Sequence, residues 1–326
     1  MSYFSIIETI RKRPGFFGYF DFNFNYLLRN LMIDMAEKPQ KFNILYHQDS
    51  LLLRSYGKNI IPEGVEFLYN INIFDKDFQL PDNESFLICL AWGKFFRLRT
   101  FNNGTAKEIL CKQSLLQRQN TFPTNQADGW ELYFKLDPEI RTAQIKNFTD
   151  YNWFSEIIYR YAAFYPQHSF KLMGQLIPGG LKHFTDKIHY MTPLKKVFVS
   201  EKFDCVIGYC PCGTAFEITS YVYGCRTRYG GTHEKYFTNL VKRIRKKEFP
   251  ERKYMLRRLE AIINYKPSKN EDYFFSRSHW SELGSEIDIP PEDHLALENF
   301  LKECAEEFRV FSESGRGSHL RKYYSL

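Results

Sequence analysis

The sequence predicts an α+β protein in two parts, residues 1–175 and 176–326, on three observations. Helical spacing of apolar residues gives way to short strand-like runs and then returns; a Pro-Gly-Gly break follows; a second succession of strands and helices begins after it. A chain of 326 residues suits two domains of roughly 100 to 200 residues each.

Residues 2–12 form an amphipathic helix that stops at Arg13-Pro14-Gly15, since proline disfavours helix in the residue before it. Residues 22–37 place Phe24, Leu27, Leu28, Leu31, Met32, Met35 and Ala36 at helical spacing, and Pro39 closes the segment. Strand character follows over 42–47, 51–55, 85–92, 94–100 and 130–136, with Asn102-Asn103-Gly104 as a turn. Residues 150–165 are helical again through Trp153, Ile157, Ile158, Tyr161 and Phe164, and the break is Ile177-Pro178-Gly179-Gly180. Beyond it come a short helix at 181–188, paired strands at 205–209 and 215–223, a basic helix at 234–248, a strand at 261–265 and an acidic helix at 291–310.

Composition narrows the function classes. Charged residues are 25% and hydrophobic residues 44%, which excludes a wholly disordered chain. The absence of an 18-residue apolar run and of a secretory pattern at the N-terminus predicts a cytoplasmic protein without membrane partners. Seven cysteines at irregular spacing fit reduced thiols better than a disulfide framework. Cys205, Cys210, Cys212 and Cys225 lack the paired CxxC knuckles of a strong zinc signal, so no metal is expected there. The 31 Phe and 22 Tyr are spread from end to end, as bulky cores and strand faces require.

Two strings carry a family resemblance. Arg11-Lys12-Arg13-Pro14-Gly15-Phe16-Phe17-Gly18 resembles the RKRPGMYIG signature of DNA gyrase B and topoisomerase IV ParE subunits, and Gly230-Gly231-Thr232-His233 is similar to the GGTH turn of their transducer domain. Weaker echoes in the same order are Ile33-Asp34-Met35-Ala36, Ile61-Pro62, Leu136-Asp137-Pro138 and Ser285-Glu286-Ile287. The resemblance implies a GHKL (Bergerat-type) ATPase-like α/β sandwich over 1–175, followed by a ribosomal-S5-domain-2-like transducer over 176–326. It also implies a shortened dimerisation arm before Glu8 and no DNA-cleaving domains.

Against that family the nucleotide site reads as erased. The general base and the asparagine that holds magnesium align with Leu27 and Leu31, and a hard cation demands oxygen ligands. Tyr56 stands at the apparent place of the adenine-binding aspartate, and Trp130 where a threonine is expected. Between Pro62 and Phe86 only Gly64 remains of a glycine-rich lid, and the transducer lysine aligns near His279. No catalytic residue and no cofactor is therefore expected.

The expectation is a catalytically silent gyrase-B-like protein that binds DNA, a gyrase or topoisomerase IV subunit, or both, as a homo- or heterodimer. The alternative is a divergent ATP-dependent type II topoisomerase B-type subunit working with a separate cleavage polypeptide. Candidate DNA contacts are Lys242, Arg243, Arg245, Lys246, Lys247, Arg252 and Lys253, because clustered cations release condensed counterions from DNA. A solvated helix face with dipole-matched ends explains the same cluster.

Overall fold

A computed structural model of the chain describes residues 3–12, 28, 32, 40–47, 49–57, 89–113, 115–140, 151–187, 194–209, 216–222, 224–227, 230–248, 259–266 and 288–313. The chain divides into two compact units, Met1–Gly179 and Gly180–Leu326. No helix among the described residues is long and apolar enough to cross a membrane.

The first unit is built on an eight-stranded sheet. In chain order come helix α1 (Tyr3–Lys12), strands β1 (Lys41–His47), β2 (Ser50–Tyr56), β3 (Gly93–Asn102), β4 (Thr105–Lys112), β5 (Leu115–Pro123) and β6 (Gly129–Leu136). Helix α2 (Tyr151–Phe164), β7 (Ser169–Leu172) and β8 (Gln175–Ile177) complete it. The spatial order is β5-β4-β3-β6-β2-β1-β7-β8, antiparallel except where β7 lies parallel to β1.

Strand side chains alternate faces, so the register sorts them into rows. On the covered face Leu172, Ile44, Leu53, Leu132, Leu98 and Ile109 lie abreast, and Tyr46, Leu51, Phe134, Phe96 and Cys111 form the next row. All are buried. Helix α2 packs on this face, with Phe154 stacked on Tyr46 at 4.6 Å between ring centroids.

Sequence periodicity falls short in two places. Residues 89–92, expected as strand, are helical, because the uninterrupted apolar run Cys89-Leu90-Ala91-Trp92 cannot distinguish a buried helix from a buried strand. Strand β5 escapes periodicity because it is an edge strand whose Gln117, Arg118, Gln119 and Asn120 are all exposed and polar.

The second unit contains helix α3 (Leu181–Lys187), β9 (Lys195–Val199), β10 (Phe203–Tyr209), β11 (Glu217–Val222), β12 (Cys225–Arg226), helix α4 (Thr232–Glu248), β13 (Leu259–Tyr265) and helix α5 (Pro291–Glu313). Its sheet runs β12-β11-β13-β10-β9, with β11 parallel to β13 and the other pairs antiparallel. Phe203, Cys205, Ile207 and Tyr209 of β10 share one core with Phe237, Leu240, Val241 and Ile244 of α4 and Leu297, Leu301, Cys304 and Phe308 of α5. Burying each such side chain contributes about 1.5 to 3 kcal/mol before conformational entropy is counted.

Candidate nucleotide and nucleic-acid sites

The opening motif has a structural use. Arg11 on α1 donates from Nη2 to Oδ2 of Asp137 at 2.5 Å and from Nη1 to the carbonyl of Ala91 at 2.8 Å. Asp137, 2% exposed, also receives the backbone N–H of Glu139 at 3.1 Å, and its own N–H donates to the carbonyl of Trp92 at 2.9 Å. One arginine thus ties α1 to the end of β6 and to the helical turn before β3. Arg13 to Gly18 lie outside the described residues, as do Leu27, Leu31, the stretch between Lys58 and Ile88, and His279. Leu28 and Met32, the neighbours of the two expected site positions, are buried at 1% and 0% exposure.

At the far end of β2 the covered face carries the row Phe170, Phe42, Ser55, Trp130 and Thr100. Trp130 is buried between the two hydroxyl residues, its ring 6.2 Å from that of Phe42. His168 closes one side, 5.9 Å from the Phe42 ring. The Ser55 hydroxyl donates to Oε1 of Gln40, whose backbone N–H donates to Nδ1 of His168 at 3.2 Å. Burial lowers the His168 pKa, in keeping with a neutral ring that accepts at Nδ1. This row bears rings, hydroxyls and an amide, and no carboxylate that could meet an adenine amino group or a metal.

Tyr56 points the other way. Alternation places it on the outer face, 40% exposed, with the Arg54 guanidinium 5.0 Å from its ring. The residue that β2 turns into the covered layer at this end is Ser55, so an inward contact there falls to Ser55 and not to Tyr56. The period-two series Leu51, Leu53, Ser55 carries that signal in the sequence. Gly129 permits the close approach of β6 to β2: its φ is +148°, and a Cβ there would sit 2.1 Å from the Ser55 carbonyl oxygen.

In the second unit the Gly230-Gly231-Thr232-His233 turn opens α4. Gly230 and Gly231 both have positive φ, at +71° and +140°, and the carbonyl of Gly231 accepts the first helical N–H, from Lys235, at 3.0 Å. Glu234 accepts from the Ser220 hydroxyl at 3.0 Å, and Thr227 donates its hydroxyl to the Ser220 carbonyl at 2.9 Å. Since that hydroxyl proton is engaged, Nε2 of His233, 3.3 Å from the Thr227 oxygen, is the donor of that pair. His233 is fully buried, and burial pulls its pKa down to about 4. The network anchors the start of α4 to β11 and the segment after β12.

The candidate DNA contacts on α4 divide. Lys242, Lys246 and Lys247 are exposed. Arg243 donates to Glu298 of α5 at 3.0 Å and to Nε2 of His294 at 3.2 Å, while Arg245 is half-buried. Arg252 and Lys253 lie outside the described residues. The structure therefore brings three solvent-facing lysines together and commits one arginine to the acidic helix beside them.

Cys205 belongs to the α4–α5 core, where burial raises its pKa and keeps the thiol protonated. Cys210 and Cys212 lie outside the described residues, and so does the side chain of Cys225. Among the described residues no group of three His, Cys, Asp or Glu side chains is placed to hold a metal ion.

No family model matches the chain, and no curated protein matches it in sequence. Solved structures do match its fold. The B subunit of DNA gyrase from Myxococcus xanthus superposes with a TM-score of 0.65 at 16% identity, covering 92% of this chain and 94% of that one. The ATPase region of Saccharomyces cerevisiae topoisomerase II gives 0.64 at 14% identity, over 91% and 86% of the two chains. The 43K ATPase domain of Thermus thermophilus gyrase B, solved with an aminocoumarin, gives 0.57 at 18% identity, over 95% and 91%. Over about nine-tenths of its length, the chain has the gyrase-B-like α+β fold of the type II topoisomerase ATPase regions.

Proposed function

We propose that this protein is a catalytically silent relative of the gyrase B ATPase region that works by occupancy, binding DNA, a type II topoisomerase subunit or both. The observation that carries the reading is Trp130, buried in a covered row with Ser55, Phe42 and Thr100 where no side chain offers a carboxylate. Leu27 and Leu31, aligned with the base and the magnesium ligand, support it from the sequence. Losing any one element of such a site costs orders of magnitude in rate or affinity, and here several are replaced together. The binding half of the proposal rests on Lys242, Lys246 and Lys247, which project from a helix whose other side is core.

The test has two arms. ATP hydrolysis, measured with and without DNA, is expected at background; DNA-stimulated turnover would instead favour the divergent ATP-dependent subunit, a reading encouraged by the extent of the fold match. In the other arm, duplex DNA affinity is followed against salt concentration. Lys242→Ala/Lys246→Ala/Lys247→Ala should flatten the log–log slope by about 2.7, at roughly 0.9 for each phosphate that is no longer neutralised. An unchanged slope means the α4 cations are only a solvated surface.

A further inference from the structure

The outer face of the eight-stranded sheet carries a second, separately built cationic surface. Register places Arg54, Glu131, Arg99 and Glu108 abreast across β2, β6, β3 and β4. The glutamates knit the arginines: Arg97, Arg99 and Arg54 reach Glu131 at 3.1, 3.7 and 3.6 Å, while Arg99 and Arg118 hold the buried Glu108 at 2.6 and 2.9 Å. On the same face Lys41, Lys112 and Lys171 are exposed, and Lys135 is 40% exposed. Against these cations the strands of this face set Glu108 and Glu131, and Asp49, in the turn before β2, lies 3.7 Å from Lys135.

Aromatic rings are interleaved with the charge. The Arg54 guanidinium lies 4.7 Å from the Phe101 ring and 5.0 Å from that of Tyr56, and Arg97 lies 5.7 Å from the Tyr133 ring, which meets Phe95 edge-on at 5.6 Å. Two arginine–aromatic clusters thus sit within a rim of lysines. Across a sheet, neighbouring strands are about 4.8 Å apart and same-face residues about 6.7 Å apart along a strand, so cations recur in two directions.

We propose that this face binds single-stranded nucleic acid. A flexible single strand can follow a twisted sheet and lay its phosphates on the lysine rim, with unpaired bases stacking on exposed rings such as Tyr56. A duplex is stiff, hides its base faces and touches such a surface along one line only. An acidic peptide matches the charge but leaves the rings without flat partners. The α4 lysines belong to the other unit.

The experiment is fluorescence anisotropy on the full chain with a labelled 20-nucleotide oligo(dT), competed by a hairpin duplex and by polyglutamate. Oligo(dT) should bind more tightly than the duplex and resist polyglutamate. Lys112→Ala/Lys171→Ala removes two exposed cations and should lower the salt slope by about 1.4, at roughly 0.7 per phosphate for single strands. Tyr56→Ala should weaken binding by about tenfold at a nearly constant slope, as loss of one stacked base requires. Lys242→Ala/Lys246→Ala/Lys247→Ala should leave oligo(dT) affinity unchanged while altering duplex binding. The proposal fails if the sheet-face variants are neutral, if the α4 variant removes oligo(dT) binding, or if duplex or polyglutamate displaces oligo(dT) at equal concentration. Circular dichroism of each variant separates these results from unfolding.

Discussion

The inward end of β2 and β6 and the turn that opens α4 are the two places where the gyrase B resemblance leads one to look for function, and they are built in opposite ways. At the first, rings predominate: Phe42, Trp130, Phe170 and His168 pack together beside the hydroxyls of Ser55 and Thr100. At the second, hydroxyls, a carboxylate and an imidazole are hydrogen-bonded in one network beside two glycines with positive φ. On the proposed reading, a scaffold keeps its fold while its nucleotide site is given up. Apolar filling adds burial energy where a polar site would cost it, whereas a polar turn persists because unmaking one partner strands the rest.

Variants at either place put this contrast to the test, and the filled end should respond most. Trp130→Ala should cost about 4 kcal/mol in urea unfolding, the magnitude for truncating a large buried aromatic, whereas a loss below about 1 kcal/mol would show the ring to be a loose plug. Arg11→Ala comes next at about 3 kcal/mol, because it leaves the buried Asp137 carboxylate without its cation. Arg11→Lys should recover only part, since the second bond, to the Ala91 carbonyl, needs the guanidinium fork.

The polar turn is tested by pH. The folded pKa of His233, about 4, lies below the unfolded value near 6.5, so the unfolded chain binds the extra proton as pH falls. Stability is unaffected by this group above about pH 6.5 and is lost progressively between pH 6.5 and 4. The loss at pH 5 relative to pH 8 should be about 2 kcal/mol. His233→Gln should remove that pH-dependent increment, whatever it does to stability at pH 8. Least is expected of the surface pair between α4 and α5: Arg243→Ala should cost under about 1 kcal/mol, as an exposed ion pair does.

Much of the fold is legible in the sequence. Helices α2, α4 and α5 and strands β1, β2, β3, β6, β10, β11 and β13 show in apolar spacing, and two short strings, Arg11 to Gly15 and Gly230 to His233, point to the fold that the solved structures share. What stays hidden has local causes. Strand β5 is polar on both faces, and the run at 89–92 is apolar at every position, so neither carries a period. The outward turn of Tyr56 follows from strand alternation, which matching the family motif position by position overrides. Arg243 finds Glu298 55 residues away, a partnership no local pattern announces. The basic sheet face is assembled from single cations on separate strands and exists only once the register is known.

If rings have filled the nucleotide site, the full chain should not bind Mg·ATP, and isothermal titration calorimetry decides the matter. No saturable heat is predicted up to millimolar nucleotide. One-to-one binding with micromolar affinity would contradict the filled site.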